Sequence, residues 1–309
     1  MSLRVVFAGT PDPALPSLRA IAESSHDLVA VVTRPDARQG RGRALHPSPV
    51  KAAALELGVA VLTPEHPREE DFQSELRALE PDVCAVVAYG ALLPPSALQI
   101  PAHGWINLHF SLLPAWRGAA PVQHAILAGD QITGASTFVI ERGLDTGPVL
   151  GTMTERIQPR DTSGSLLARL ADGGSALLLA TLDAIEAGSA TGVPQPPDGV
   201  THAPKIEAAD AEVRWSEPAF AVDRRVRACT PAPGAWTTFR GLRLGVGPVE
   251  PVEQPGLTAG ELAVSKREVL VGTGTGAVGL GLVRPVGKKE MPAADWARGV
   301  RIESGERLG

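Results

Sequence analysis

The sequence of 309 residues predicts an α/β protein in which a doubly wound, mostly parallel sheet is followed by a small β-barrel domain. Three observations indicate this fold class. Up to residue 187, continuous apolar runs typical of fully buried strands alternate with amphipathic helical patterns. Residues 188–204 are rich in Gly and Pro, as linkers are. From residue 205 onward, short strands are separated by Gly and Pro.

The first elements follow the order strand, helix, strand that parallel sheets require. Strands are predicted at residues 3–8, 28–33, 59–62 and 83–88, and helices at residues 16–24, 50–57 and 69–79. A further strand runs through Asn107 and His109. Open α/β sheets bind ligands at the carboxyl ends of their strands, so the loop after this strand is the expected site.

The remaining elements complete the two parts. A helix is predicted at residues 121–128, and paired strands at residues 136–140 and 149–157 flank a turn at Asp145. An amphipathic helix spans residues 163–186, with polar residues before it and Gly188 after it. Strands at residues 236–239, 242–246, 269–272 and 278–283 indicate a barrel of OB type. The predicted division is therefore 1–187, a linker at 188–204, and 205–309.

Composition and charge narrow the class of protein. No run of about 18 apolar residues occurs and the N-terminus lacks a basic leader, so a cytoplasmic protein without a membrane segment is expected. Cys84 and Cys229 are too few for a disulfide framework or a CxxC metal site. The net charge is −5, yet residues 34–51 carry +4, which indicates a focused anionic partner.

Two glycine-containing segments resemble phosphate-binding loops, but neither has the sequence context that such a loop requires. After the first strand only Gly9 is present where a dinucleotide fold carries Gly-x-Gly-x-x-Gly. That pattern does occur at residues 274–279, but the residues that follow are strand-like and do not begin a helix. We interpret this second match as a glycine-rich turn of the barrel.

The most informative chemistry lies in residues 107–118 and 143–147. Apolar and polar residues alternate over residues 106–111, which puts Asn107 and His109 on the same face of a strand. Asn can donate a hydrogen bond to a carbonyl oxygen, and His can donate or shuttle a proton. Asp145 can orient and charge this His if the fold returns it there. Each residue alone is typical of an ordinary polar position, but together they predict a site that polarises a carbonyl for acyl transfer.

In these motifs the sequence resembles the methionyl-tRNA formyltransferases, and the resemblance spans both parts of the chain. Phe110 stands where that family often has a small residue, which bears on the shape of the pocket. The matching segments are Phe7-Ala-Gly-Thr-Pro11, Gly40-Arg-Gly42 before Pro47-Ser-Pro49, Val86-Val-Ala-Tyr-Gly90, Asn107-Leu-His109, Ser111-Leu-Leu-Pro114, Arg117-Gly-Ala-Ala-Pro121, Gly143-Leu-Asp-Thr-Gly147 and Gly287-Lys-Lys289.

The resemblance implies that 10-formyltetrahydrofolate donates a formyl group to the α-amine of methionine on initiator methionyl-tRNA, with no metal. It implies that Asn107 and His109 stabilise the developing oxyanion, while Asp145 holds His109 and assists proton movement. By the same resemblance the formyltransferase catalytic domain is residues 1–187, and the C-terminal OB-like domain, residues 205–309, binds tRNA. Folate would be held by Ser111, Leu112, Leu113, Pro114 and the backbone around Tyr89 and Gly90.

Basic residues in both parts of the chain are expected to contact the tRNA. The enzyme is expected to act as a monomer. The loop 34–51 contributes Arg38, Arg41 and Arg43, and its glycines are typical of a segment ordered by nucleic acid. The residues expected to supply positive charge in the C-terminal domain are Lys205, Arg224, Arg225, Arg227, Lys288 and Lys289.

The sequence also allows three other functions. A formyltransferase acting on a small amine, such as glycinamide ribonucleotide or an amino sugar, explains the catalytic residues but not the barrel and the basic loop. A hydrolase that releases formate from the same folate would use water as nucleophile, and formate release without an amine would identify it. A catalytically silent RNA-binding module gives no reason for Asn107, His109 and Asp145 to occur together.

Overall fold

Seven strands pair into one sheet in the first part of the chain. The computed structural model describes residues 2–39, 44–253 and 256–309. Up to residue 202 the elements are β1 (Arg4–Gly9), α1 (Leu15–Ala22), β2 (Asp27–Val32), β3 (Ala37–Gln39), β4 (Ala44–His46), α2 (Pro49–Glu56), β5 (Val61–Leu62), α3 (Glu70–Ala78), β6 (Val83–Val87), α4 (Pro95–Leu98), β7 (Trp105–His109), α5 (Pro121–Ala128), β8 (Ile132–Val139), β9 (Val149–Arg156) and α6 (Ser163–Glu186).

The strand order is β5-β2-β1-β6-β7-β8-β9. The five strands β5, β2, β1, β6 and β7 run parallel to one another. At one edge β8 pairs antiparallel with β7, and β9 pairs antiparallel with β8. The predicted doubly wound, mostly parallel sheet is confirmed. Strand β6 is buried along its whole length, which explains why it reads as a continuous apolar run rather than an alternating one.

Helix α6 packs against the face of this sheet that carries Leu108. A Cβ at Gly174 would lie 2.9 Å from a methyl carbon of Leu108, so the glycine lets the helix approach the strand closely. Thr181 and Thr137 join their hydroxyls at 2.8 Å. By length and composition alone this helix of 24 residues could span a membrane.

The opposite face of the sheet carries the residues that alternate with Leu108. Trp105 lies there, fully buried in an apolar cluster with Phe72 of α3 and Tyr89. Asn107 and His109 share this face because side chains two residues apart in a strand point the same way.

The C-terminal residues form a strand-rich domain, as predicted. Its elements are α7 (Ala219–Ala228), β10 (Trp236–Phe239), β11 (Leu242–Val246), β12 (Val249–Val252), β13 (Leu262–Val264), β14 (Val269–Gly272), β15 (Ala277–Leu280), β16 (Leu282–Pro285), β17 (Met291–Pro292) and α8 (Ala293–Val300). They pair as two four-stranded antiparallel sheets, β10-β11-β16-β17 and β12-β15-β14-β13. Phe239 and Trp296 meet edge to face in the core of this domain, with ring centroids 5.1 Å apart.

The chain divides into two compact units. One comprises Met1–Gly118, Ile132–Arg156 and Leu167–His202, and the other comprises Ala119–Gln131, Ile157–Leu166 and Ala203–Gly309. Helix α5 belongs to the second unit, where Arg224 of α7 donates a hydrogen bond to the carbonyl of Ala128 at 3.1 Å. The division into residues 1–187, 188–204 and 205–309 stays a prediction about function.

Several elements escaped the sequence pattern. Helices α4, α7 and α8 and strands β3, β4, β12, β13 and β17 were not predicted, and the strand expected at 278–283 is two strands, β15 and β16. Helix α7 is short and basic, and its apolar residues Val222 and Val226 are buried in the core of the second unit. Its stability therefore comes from tertiary packing rather than from a strong local pattern.

Candidate active site

Strand β7 presents the carboxamide of Asn107 and the imidazole of His109 on one face of the seven-stranded sheet. Asn107 lies opposite Phe138 of β8 and is half-buried. Within the described residues its carboxamide makes no hydrogen bond, so its N–H is available to a ligand. His109 is only 6% exposed, and its ring meets that of Phe138 edge to face with centroids 6.3 Å apart.

The two nitrogens of His109 face different partners. Nε2 lies 2.9 Å from the backbone oxygen of Trp116. A carbonyl oxygen only accepts hydrogen bonds, so we assign the ring proton to Nε2. Nδ1 faces Oδ2 of Asp145 at 3.8 Å, which is longer than a hydrogen bond. Nδ1 is therefore the nitrogen that remains able to accept a proton.

Burial decides the charge of His109. Desolvation lowers the pKa of His109 below its ordinary value, against the opposing effects of the Asp145 carboxylate and of the hydrogen bond to Trp116. The ring is thus neutral at pH 7. When Nδ1 takes up a proton, the carboxylate of Asp145 already faces the new charge, as a group that assists proton transfer must.

Asp145 lies close to His109 although the loop that carries it starts at the other end of β7. The loop after β8 begins beside the start of β7, where the N–H of Ile140 donates to the carbonyl of Trp105 at 2.7 Å. From there to His109 the strand advances about 13 Å, at ~3.3 Å per residue. The loop therefore folds back over the face of β7. Asp145 is left-handed there, with φ of 51°, and its Oδ2 accepts the N–H of Gly118 at 2.7 Å.

Residues 111–114 form the turn after β7. Ser111 is fully buried, and its hydroxyl donates to the carbonyl of Ala115 at 2.6 Å. The hydroxyl of Ser136 donates to the carbonyl of Ser111 at 2.7 Å and accepts the N–H of Leu113 at 3.1 Å. Ser111 therefore shapes the turn, whereas Leu112, Leu113 and Pro114 are half-buried. The predicted contact of these four residues with folate stays a prediction.

Residues 89–93 form the loop after β6, the strand that neighbours β7. Tyr89 is buried, and burial raises the pKa of its hydroxyl to about 12. The Tyr89 carbonyl accepts the hydroxyl of Thr10 at 2.8 Å, and Gly90 follows with φ of 82°. Within the described part of the chain, the backbone N–H and C=O groups of residues 90–93 form no hydrogen bond. This loop thus offers donors and acceptors to a ligand.

The residues predicted to bind tRNA differ in what the structure shows of them. Arg41 and Arg43 lie outside the described residues. Arg38 is exposed on β3, and Lys288 is exposed in the second unit. Lys205 is also exposed, with its ammonium 2.9 Å from a carboxylate oxygen of Glu207.

Two of the arginines of α7 that were expected to supply positive charge for tRNA are paired with acidic residues of the same unit. The Arg227 side chain is 10% exposed, and its guanidinium pairs with Asp223 at 2.8 Å and donates to the carbonyl of Asp161 at 3.0 Å. Arg225 is 16% exposed and pairs with Glu217. Because α7 was not predicted from the sequence, the inward direction of these side chains was not foreseen.

Gln195 and Thr201 were missed because they lie in the stretch whose composition predicts a linker. The amide of Gln195 donates to the carbonyls of Asp145 and Gly147, each at 2.8 Å. Thr201 accepts the N–H of Trp116 on its hydroxyl at 2.8 Å and that of Arg117 on its carbonyl at 2.9 Å. Gln195 therefore bonds to the loop of Asp145, and Thr201 bonds to the loop of Trp116 and Arg117. No local pattern in the sequence signals these contacts.

A second histidine meets carboxylates at the start of β2 in the same sheet. The ligand atoms of His26, Asp183 and Glu186 all lie within 4.8 Å of one another. The N–H of Leu3 donates to Nδ1 of His26 at 3.4 Å, and Nε2 lies 3.1 Å from a carboxylate oxygen of Asp183. We therefore interpret this contact as an anchor between α6 and the start of β2.

Known proteins match along nearly the whole chain. The formyl transferase family matches residues 3–182, and the formyl transferase C-terminal domain matches residues 205–301. A methionyl-tRNA formyltransferase of Nocardioides sp. (strain ATCC BAA-499 / JS614) is 64% identical over 99% of this chain and 98% of its own. Another, of Salinispora arenicola, is 65% identical over 99% of this chain and 100% of its own.

Solved structures share the fold at lower identity. HypX from Aquifex aeolicus in complex with tetrahydrofolic acid has a TM-score of 0.69 at 20% identity. The match covers 96% of this chain but 47% of HypX, so the chain spans about half the length of that protein. WlaRD, a sugar 3N-formyl transferase, has a TM-score of 0.68 at 16% identity, over 94% of this chain and 100% of its own. At these identities the likeness is one of fold.

Proposed function

The chain belongs to the methionyl-tRNA formyltransferase family, and from this premise we propose how its residues transfer a formyl group from 10-formyltetrahydrofolate to the α-amine of methionine on initiator methionyl-tRNA. One observation carries the proposal: a carboxamide without a hydrogen bond within the described residues lies two residues from a neutral imidazole that faces a carboxylate. Asn107, His109 and Asp145 supply these three groups.

The reaction exchanges one C–N bond for another. The methionine nitrogen bonds to the formyl carbon, the bond from that carbon to the folate nitrogen breaks, and a proton passes from the amine to that folate nitrogen. Asn107 donates its N–H to the formyl oxygen as negative charge develops there. His109 accepts the amine proton on Nδ1 and returns it to the departing nitrogen, while Asp145 stabilises the ring in its charged form.

The loop after β6 fits a folate. A pterin ring is flat, with hydrogen-bond donors and acceptors along its edge, and residues 90–93 offer backbone groups that make no hydrogen bond within the described chain. Leu92 is 88% exposed in this loop and supplies apolar surface for a planar ring. We place Tyr89 and Gly90 in the folate site through their backbone, because the Tyr89 side chain is buried.

The exposed cations Arg38, Lys205 and Lys288 are the described residues that we assign to tRNA phosphates. Each lysine or arginine that neutralises a phosphate releases counterions, which strengthens binding and makes it depend on salt. The substrates also support a cytoplasmic location. Initiator tRNA and folate are both used in the cytoplasm, and we place a monomeric enzyme there, whose mass light scattering would test.

A direct assay tests the proposed function. The purified protein is incubated with 10-formyltetrahydrofolate and charged initiator tRNA, and the product is hydrolysed and analysed for formyl-methionine. Parallel reactions contain an amino sugar nucleotide, glycinamide ribonucleotide or no amine. Formyl-methionine only in the tRNA reaction supports the proposal. Faster formylation of a small amine, or formate release without any amine, would contradict it.

A further inference from the structure

The segment of residues 192–202, which we call the strap, crosses both loops that flank His109. Val193 forms a two-way backbone bridge with Val149, just after the loop of Asp145, with both N···O distances at 2.8 Å. Eight residues later, Thr201 holds the backbone of Trp116 and Arg117. Between these two anchors lies Gln195, which contacts both loops through one side chain.

Every hydrogen-bonding position of the Gln195 amide is used. Its nitrogen donates to the carbonyl oxygens of Asp145 and Gly147, each at 2.8 Å. Its oxygen accepts Nε and Nη2 of Arg117 at 3.0 and 2.6 Å. The orientation of the amide follows from its partners, because carbonyls need donors and a guanidinium needs an acceptor. A side chain that satisfies both sets of partners must be an amide.

These contacts close a ring of interactions around His109. Trp116 accepts from Nε2 of His109, and two residues later Gly118 donates to the Asp145 carboxylate that faces Nδ1. The side chain of Arg117, which lies between these two residues, is tied by Gln195 to the backbone of Asp145 itself. Asp145 holds a left-handed backbone, which is unfavourable for a non-glycine residue unless its surroundings hold it.

We propose that Gln195 is a positioning residue for formyl transfer: it holds the backbone of Asp145 against the Arg117 loop, so that the Asp145 carboxylate faces Nδ1 of His109. This inference rests on the proposed function and adds to it a residue outside the three catalytic ones. Gln195 acts through Asp145, because its hydrogen bonds go to Arg117, Asp145 and Gly147.

Two variants separate the contact with Asp145 from the contact with Arg117. Gln195→Glu keeps an oxygen for Arg117 but puts a second oxygen, which cannot donate, against the carbonyls of Asp145 and Gly147. Gln195→Met keeps the length of the side chain and loses both contacts. We expect each variant to lower kcat about 10-fold or more, with KM for folate and for tRNA within about twofold of wild type. The exposed Asp198→Asn in the same strap is the matched control and should keep wild-type kcat.

Two further measurements exclude a merely structural role. A displaced Asp145 supports the charged form of His109 less well, so the acid limb of the kcat profile should move to lower pH in both Gln195 variants. Asp145→Asn combined with Gln195→Glu should be no slower than Asp145→Asn alone, because residues that act as a unit are not additive.

The outcomes are unambiguous once wild type formylates tRNA, and if it does not, the proposed function fails instead. A Gln195→Glu enzyme with wild-type kcat would show that Gln195 serves Arg117 alone and would overturn the proposal. Losses that multiply in the double variant, or an unmoved acid limb, would also overturn it. Circular dichroism checks folding. If Gln195→Glu does not fold, Gln195→Met must show the same kcat, pH and double-variant effects, and if neither folds, Gln195 is a folding residue and the proposal is wrong.

Discussion

Gly118 donates its backbone N–H to the carboxylate of Asp145 at 2.7 Å, and the same carboxylate oxygen faces Nδ1 of His109 at 3.8 Å. This oxygen is therefore held in place before any substrate binds. A carboxylate that is already oriented can stabilise a proton on the imidazole without first reorganising, which is the main source of electrostatic catalysis in enzyme sites.

Asn107→Ala should lower kcat by about 10²-fold or more, since it removes one donor to the developing oxyanion. His109→Ala should lower kcat by a similar factor, because it removes the group that moves the proton. Steady-state kinetics with charged initiator tRNA measures both. Asn107→Ala should keep the wild-type melting temperature, as its carboxamide makes no hydrogen bond within the described residues. A kcat within about threefold of wild type for either variant would remove that residue from the mechanism.

Asp145→Asn should lower kcat and move the acid limb of its pH profile to lower pH. Asp145 raises the pKa of His109 against the lowering effect of burial, so removing its charge lowers that pKa further. Because catalysis needs the neutral ring, activity is lost as the pH falls through the pKa of His109. The methionine amine titrates identically in the wild-type and Asp145→Asn reactions. The difference between the two pH profiles therefore comes from the enzyme. An acid limb that stays in place, or moves up, would contradict the assigned role of Asp145.

Arg38→Gln and Lys288→Gln should each raise KM for tRNA and leave KM for folate unchanged. If each residue contacts one phosphate, each variant should also reduce the slope of log KM against log salt by about 1. Kinetics at several salt concentrations measure this slope. A variant with an unchanged slope would mean that the residue is only a solvated surface charge.

Arg227→Gln should act on stability instead of tRNA binding, although it removes the same charge as the two variants above. It leaves Asp223 buried and unpaired, so the free energy of unfolding should fall by about 3–5 kcal/mol. Urea denaturation measures this loss. The control is Arg298→Gln, which breaks an exposed pair with Asp295 and should change stability by no more than about 1 kcal/mol. A lower salt slope for folded Arg227→Gln would return this arginine to the tRNA surface.

Much of the fold can be predicted from local patterns of apolar and polar residues. The helix predicted at residues 163–186 is α6 with the same bounds, because its apolar period and polar start are strong local signals. The buried strands β1 and β6 were read from apolar runs for the same reason. Helices α7 and α8 were missed, because both are short and depend on the core of the second unit for stability.

By itself the sequence determined the sheet class, the strand-rich second domain and the shared face of Asn107 and His109, since strand alternation depends only on neighbouring residues. Tertiary structure alone decided that the loop after β8 folds back to bring Asp145 to His109, that Gln195 joins this loop to Arg117, and that Arg227 turns inward to Asp223. The physical reason is that these contacts join residues far apart in the chain. Their partners are chosen by which backbone and charged groups become buried together and must find a hydrogen bond, and no local period records that choice.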